Sequence, residues 1–161
     1  GLYLGGGYPE VCARELSRNT ALLREIQGAI LHGMPTVAEC GGFLYLHTAI
    51  RDRDGHPYQM AGVLPAACQD TKKLVRFGYI ELEEKESHFL EVGTRIKGHE
   101  FHYFDSEKNG EDCMAVKPVT GRTYPCDRKR KCLDGLSASL LSVKPVLCRS
   151  FCKKSRAILR R

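Results

Sequence analysis

The rhythm of apolar and polar positions changes near residue 60. Ahead of it, Leu2 to Leu4 is a short apolar run followed by Gly5-Gly6-Gly7, the pattern of a buried strand that ends in a loop whose backbone can approach a ligand. A helix is predicted next. Asn19 and Thr20 offer its cap, Leu22, Leu23, Ile26 and Ile30 recur at helical spacing, and Gly33 stops it. Pro35-Thr36-Val37-Ala38 then reads as a strand buried on both faces, Phe43 to Ile50 as a further helix, and Arg51 to Pro57 as a turn. Strand, glycine loop, helix and strand form the βαβ grammar of a doubly wound α/β fold, in which sites gather at the carboxyl ends of strands. Beyond Met60, Val75 to Leu82, Thr94 to Lys97 and Gly98 to Phe104 are rich in β-branched and aromatic residues and predict a mostly antiparallel set. There is no internal repeat and no low-complexity segment.

Composition narrows the class. The chain's 161 residues, 42% of them hydrophobic, suit one soluble core. No window approaches the roughly 18 consecutive apolar residues of a membrane span, and the start lacks the pattern of a signal peptide, so the expectation is a cytoplasmic protein without a membrane partner. The opening Gly1-Leu2-Tyr3-Leu4 resembles the middle of a strand, which predicts a fragment.

The net charge of +6 is unevenly placed. Residues 127–161 hold 11 Lys/Arg against 2 Asp/Glu, whereas residues 1–126 hold 14 against 17. A mildly acidic body of 1–126 is therefore expected to carry a basic tail of 127–161. Arg128-Lys129-Arg130-Lys131 invites a reading as an RNA-binding arm, but the tail has no interleaved aromatics, so no nucleic-acid partner is expected. The eight cysteines lack paired CxxC units and are expected as buried free thiols; Cys126, Cys132, Cys148 and Cys152 have no neighbouring His to complete a zinc site, and no metal is expected.

The chemistry concentrates at Val37-Ala38-Glu39-Cys40-Gly41-Gly42-Phe43-Leu44. A cysteine between a short strand and a helix, followed by two glycines, has the layout of a nucleophile elbow: a sharp turn lifts the side chain out of the sheet and aims a backbone N–H at a developing oxyanion. Gly41 can supply one N–H, and Gly6 or Gly7 of the first loop a second. The start of a helix is expected to give Cys40 thiolate character. A small buried cysteine flanked by tight-turn glycines is the plainer alternative.

Three blocks in order, Gly5-Gly6-Gly7-Tyr8-Pro9-Glu10, Ala38 to Leu46 and Gly98-His99-Glu100-Phe101-His102-Tyr103, resemble signature blocks of the cobyrinate a,c-diamide synthase family over residues 1 to 126. The resemblance implies an α/β domain of the class I glutamine amidotransferase type, flavodoxin-like and three-layered, here incomplete at both ends. It implies that Cys40 takes ammonia from glutamine, and that the ammonia aminates the a and c carboxylates of a corrin acid. It also implies ATP and Mg²⁺ in a synthetase domain outside these residues, which contain no GxxxxGK[ST] loop and are expected to hold no cofactor themselves. The corrin or other tetrapyrrole acid would be met through that domain.

A thiol nucleophile needs a base, and six histidines are available. His99 and His102 are three apart rather than the four of a helical zinc motif, and on a strand they face opposite sides. With Glu100 they are expected to shape the site. Phe104 stands where the family commonly has a serine. The family's catalytic histidine lies in a Tyr-Pro-His block near the carboxyl end, and the resemblance stops after Cys126 without it. Allowed codons for Asp127 to Ser139, read one nucleotide out of register, give TGKENVWMAYPH, which resembles the lost block. The tail is therefore expected to be frameshifted or disordered and the chain inactive as a glutaminase. The alternatives are a related amidase acting on sirohydrochlorin or a cobyric acid precursor, and a non-catalytic binding or assembly fragment.

Overall fold

A computed structural model of the chain describes residues 1–84, 91–108, 113–126 and 132–135. Strand β1 (Leu2–Leu4) pairs in parallel with β2 (Thr36–Glu39), Leu2 opposite Thr36 and Leu4 opposite Ala38, as a βαβ unit demands. The crossover consists of a 3-10 turn (Pro9–Cys12) and helices α1 (Ala13–Arg18) and α2 (Thr20–Leu31). The Asn19 carboxamide oxygen accepts the Leu22 N–H at 3.3 Å at the start of α2. At its end Gly33 adopts φ 98°, a left-handed exit that glycine makes without strain. Leu23 and Ile30 of the expected apolar stripe are buried, while Leu22 is exposed.

Every residue of β2 is buried. It is the central strand of a parallel sheet of order β1-β2-β11, where β11 (Cys132–Gly135) pairs with it on the far side, Gly135 opposite Glu39.

The expected helix over Phe43 to Ile50 is corrected. Helix α3 covers only Gly41–Tyr45, and His47–Arg51 form strand β3. The spacing of Leu46 and Ile50, four apart, suits either period, and strand pairing on both edges decides between them. Strand β3 pairs antiparallel with β4 (Pro57–Gln59) across the expected turn and parallel with β5 (Leu64–Asp70), whose other edge takes β8 (Phe104–Ser106). Phe43, Leu46, Ile50 and Cys68 are essentially inaccessible and join Leu23, Ile30 and Ala38 in one core. Burial of each large side chain contributes about 1.5–3 kcal/mol, and together they hold the start of α3 against the parallel sheet.

The third sheet is wholly antiparallel, of order β10-β9-β6-β7, from β6 (Arg76–Glu84), β7 (Arg95–His102), β9 (Cys113–Val116) and β10 (Thr123–Cys126). Beyond Met60 the chain is therefore mainly antiparallel, with the β3–β5 and β2–β11 pairs as the parallel exceptions. The architecture is mixed α/β. Among the described residues no helix is long and apolar enough to cross a membrane. Of the cysteines with described side chains, Cys68 is buried, Cys40 partly buried and Cys12 exposed, so the expectation of buried thiols is corrected for Cys12. The tail readings at Arg128 to Lys131 and from Leu136 onward lie outside the described residues.

Candidate functional site at the Cys40 elbow

Cys40 joins β2 to α3 with φ 51° and ψ −111°. Those angles match the first central position of a type II′ turn, which glycine normally fills. A side chain held there costs on the order of 1–3 kcal/mol, so the surrounding structure must impose it. The Cys40 carbonyl accepts the N–H groups of Phe43 and Leu44 at 3.0 and 3.1 Å, fixing the turn to the helix. The two following glycines are obligatory by contact. A Cβ on Gly41 would lie 2.2 Å from the Gly7 carbonyl oxygen, and one on Gly42 would lie 2.3 Å from that of Leu4. Both obstacles are backbone and cannot swing aside.

That close approach lays the first glycine loop over the elbow. A Cβ on Gly6 would lie 3.8 Å from the Cys40 Cβ, and the N–H groups of Gly41 and Gly7 lie near enough to the Cys40 sulfur to favour its thiolate. Cys40, Gly6, Gly7 and Gly41, proposed from sequence as one constellation, are thus adjacent. The expected thiolate character is corrected. Burial pushes the Cys40 thiol up, the two N–H groups oppose the shift, and the charges of Glu10 and Glu39 add to it. Helix α3, five residues long, cannot outweigh them.

The two acids are themselves unusual. Glu39 is 8% exposed; its Oε2 accepts the Tyr3 hydroxyl at 2.8 Å, and its Oε1 has no partner. The same hydrogen bond, with burial and the carboxylate charge, pushes the Tyr3 phenol up to about 12. Glu10 Oε2 is also buried without a partner, and burial raises that carboxyl above its ordinary range.

His99, Glu100 and His102 lie on β7 of the antiparallel sheet. None of them acts on the Cys40 thiol. Alternation along the strand puts His99 on the opposite face from the other two. Its ring meets Phe77 and Tyr79 edge-on at 5.8 and 5.3 Å. On the inner face Glu100, 2% exposed, accepts the Lys117 ammonium at 2.8 Å and the Tyr124 hydroxyl, with the Arg76 guanidinium at 3.8 Å. Arg76 also reaches Asp105 at 3.6 Å and lies 5.0 Å over the Tyr124 ring. Burial lowers His102 to about 4, against the pull of Glu100, so the imidazole is neutral near pH 7.

The family model for the CobB/CobQ-like glutamine amidotransferase domain matches residues 1–136. The chain belongs to this family. A cobyrinate a,c-diamide synthase of Caldanaerobacter subterraneus subsp. tengcongensis is 55% identical over 104 residues, 64% of this chain and 23% of that protein. The namesake of Salmonella typhimurium is 39% identical over 119 residues, 73% and 26% respectively, and that of Fusobacterium nucleatum 41% over 129 residues, 78% and 28%. The chain spans about a quarter of the length of these curated relatives.

Within this amidotransferase domain, sequence reasoning missed Glu10 and Glu39 as members of the Cys40 surroundings. Both stand inside the quoted blocks, and an acid directly before the nucleophile candidate, on a strand otherwise apolar, was the available signal. Arg76, Lys117 and Tyr124 were also missed as partners of Glu100, and no local pattern joins them. A separate cleft of about 300 Å³, between α2 and residues 59–62, is lined by Thr20, Arg24, Gln27 and Gln59 among others and contains none of the sequence-nominated residues.

Proposed function

We propose that this domain is a class I type glutaminase in which Cys40 attacks the side-chain amide of glutamine. The carrying observation is the strained elbow itself, over which the first glycine loop lies closely enough to set the main-chain N–H groups of Gly7 and Gly41 beside the cysteine. Attack of the thiolate on the amide carbon moves charge onto the carbonyl oxygen, which these two donors would receive. The C–N bond then breaks, ammonia departs after gaining a proton, and water hydrolyses the thioester to glutamate. A flavodoxin-like three-layer arrangement is the fold proposed for it, with the parallel sheet around β2 as support.

By analogy with the relatives' names, the ammonia would serve amidation of the a and c carboxylates of cobyrinate; a sirohydrochlorin or cobyric acid type of substrate is the alternative in the same class. ATP and Mg²⁺ would be held by the part of the relatives' length that this chain does not span. The family's Tyr-Pro-His block, which would supply the base, is absent from this sequence. His99 and His102, on β7, remain site-shaping residues in this reading.

A non-catalytic fragment is the second reading, favoured by the raised Cys40 thiol. A glutamine-mimicking diazoketone, 6-diazo-5-oxo-L-norleucine, separates them: the glutaminase reading expects a single adduct on Cys40 by peptide mass spectrometry. Absence of an adduct there, or equal labelling of exposed Cys12, overturns it. Ammonia release from glutamine is expected to be negligible for the chain as it stands. Turnover at the level of intact amidotransferases, abolished by Cys40→Ala, would assign the base to another residue such as His99 or His102.

A further inference from the structure

The elbow holds more negative charge than a glutaminase nucleophile needs, and that excess is the observation to explain. Glu39 is more than nine-tenths buried with Oε1 unpartnered, and Glu10 Oε2 is buried and unpartnered as well. Among the described residues no Lys, Arg or His forms an ion pair with either acid. The same chain knows how to compensate a buried acid, as Glu100 with Lys117 and Arg76 demonstrates. A buried carboxylate without a cation or enough donors either takes up a proton or is destabilised by several kcal/mol, and a cationic ligand removes that cost.

Position says which ligand. Glu39 precedes Cys40 at the end of β2, and Glu10 follows the loop whose Gly7 N–H lies near the sulfur. Both carboxylates act electrostatically on that sulfur. A group bound here must therefore place a cation a few bonds away from a carbon that the thiol attacks. Free glutamine has that shape, with an α-ammonium three carbons along from its amide carbon. We propose that Glu10 and Glu39 together receive the α-ammonium of glutamine, so that the site selects the amino acid over a simple carboxamide. The inference rests on the glutaminase reading and adds a specificity element to it. Tyr3 is the positioning residue: its hydroxyl occupies Glu39 Oε2 and leaves Oε1 for the ligand.

The test uses the full chain and follows alkylation of Cys40 by iodoacetamide, with either L-glutamine or its deaminated analogue 4-carbamoylbutanoate present as protectant. A charge-assisted hydrogen bond corresponds to a preference of roughly tenfold or more. The expected result is half-protection by L-glutamine at a concentration lower by about that factor than for the analogue. Glu39→Gln and Glu10→Gln should each remove most of the preference and leave protection by the analogue as it was. Preference kept in both variants overturns this inference and leaves the glutaminase reading standing, as does equal protection of the parent by the two amides. Failure of both amides to protect the parent overturns the glutaminase reading and this inference with it. Should Glu39→Gln lose protection by the analogue too, the substitution at Glu10, whose side chain is only partly buried, decides the matter.

Discussion

The parallel sheet around Cys40 and the antiparallel sheet around Glu100 handle buried carboxylates in opposite ways, although His102 Nε2 on β7 is itself buried without a partner. Around Glu100 every charge is answered: an ammonium at 2.8 Å, a phenol hydroxyl, a guanidinium at 3.8 Å that is itself shared with Asp105. Around Cys40 two acids lie beside a thiol with an oxygen apiece unpartnered, and the cysteine backbone adopts a glycine conformation. The buried acid is compensated where the chain is only building structure and left uncompensated where a ligand is expected to complete it. The contrast makes the Glu100 cluster a stabilising device and the elbow a strained one, and each half can be challenged by substitution.

The largest effect is expected at Glu100. Its removal in Glu100→Ala leaves Lys117 with the Phe77 carbonyl and Arg76 with Asp105, side chains that are 20% and 18% exposed, so the loss is expected at the lower end for breaking a buried pair from one side, about 3 kcal/mol. Urea unfolding should report a loss of that size. Glu39→Ala, which removes an acid with no cation to strand, should cost far less. Equal losses at the two positions would erase the difference between the regions.

His102 supplies the next test. Its folded-state value of about 4 lies below the 6.5 of an unperturbed histidine, chiefly through burial. Below pH 6.5 the unfolded chain therefore binds the proton first, so stability is present in full above that pH and is lost as pH falls toward 4. The loss amounts to about 3 kcal/mol at the lower end. Unfolding at a series of pH values should show this slope, and His102→Gln should flatten it. A slope unchanged by the substitution would show that other groups of the cluster carry the acid sensitivity.

How far the chain could be read before its fold was known follows the same division. The elbow was legible because strand, cysteine and paired glycines are contiguous and their chemistry is local. That Gly41 and Gly42 are demanded by the carbonyls of Gly7 and Leu4 was not legible, because those contacts depend on how β1 and its loop lie against α3. Residues 47–50 were misread as helix since Leu46 and Ile50 satisfy a helical period, and only the pairing of β3 with β4 and β5 selects the strand. On β7 alternation correctly separated His99 from His102. It could not say which face meets Arg76, Lys117 and Tyr124, which come from strands and turns far along the chain.

The smallest effect is the most direct probe of strain, because its sign is opposite to that of an ordinary substitution. Replacing a partly buried cysteine with glycine should remove packing and loosen the unfolded chain, a cost of roughly 0.5–1 kcal/mol for the backbone alone. At Cys40 the substitution also releases a conformation that costs a side chain on the order of 1–3 kcal/mol. Cys40→Gly should therefore match or exceed the parent in stability by about 1 kcal/mol, a rise of a few degrees in Tm for a domain of this size. Cys40→Ala keeps the Cβ and the strain while losing the sulfur, so it should be the less stable of the two variants. Thermal unfolding of the pair isolates the backbone contribution. If Cys40→Ala proves more stable than Cys40→Gly, the elbow is relaxed, and the division drawn between a strained sheet end and a compensated one would then rest on the carboxylates alone.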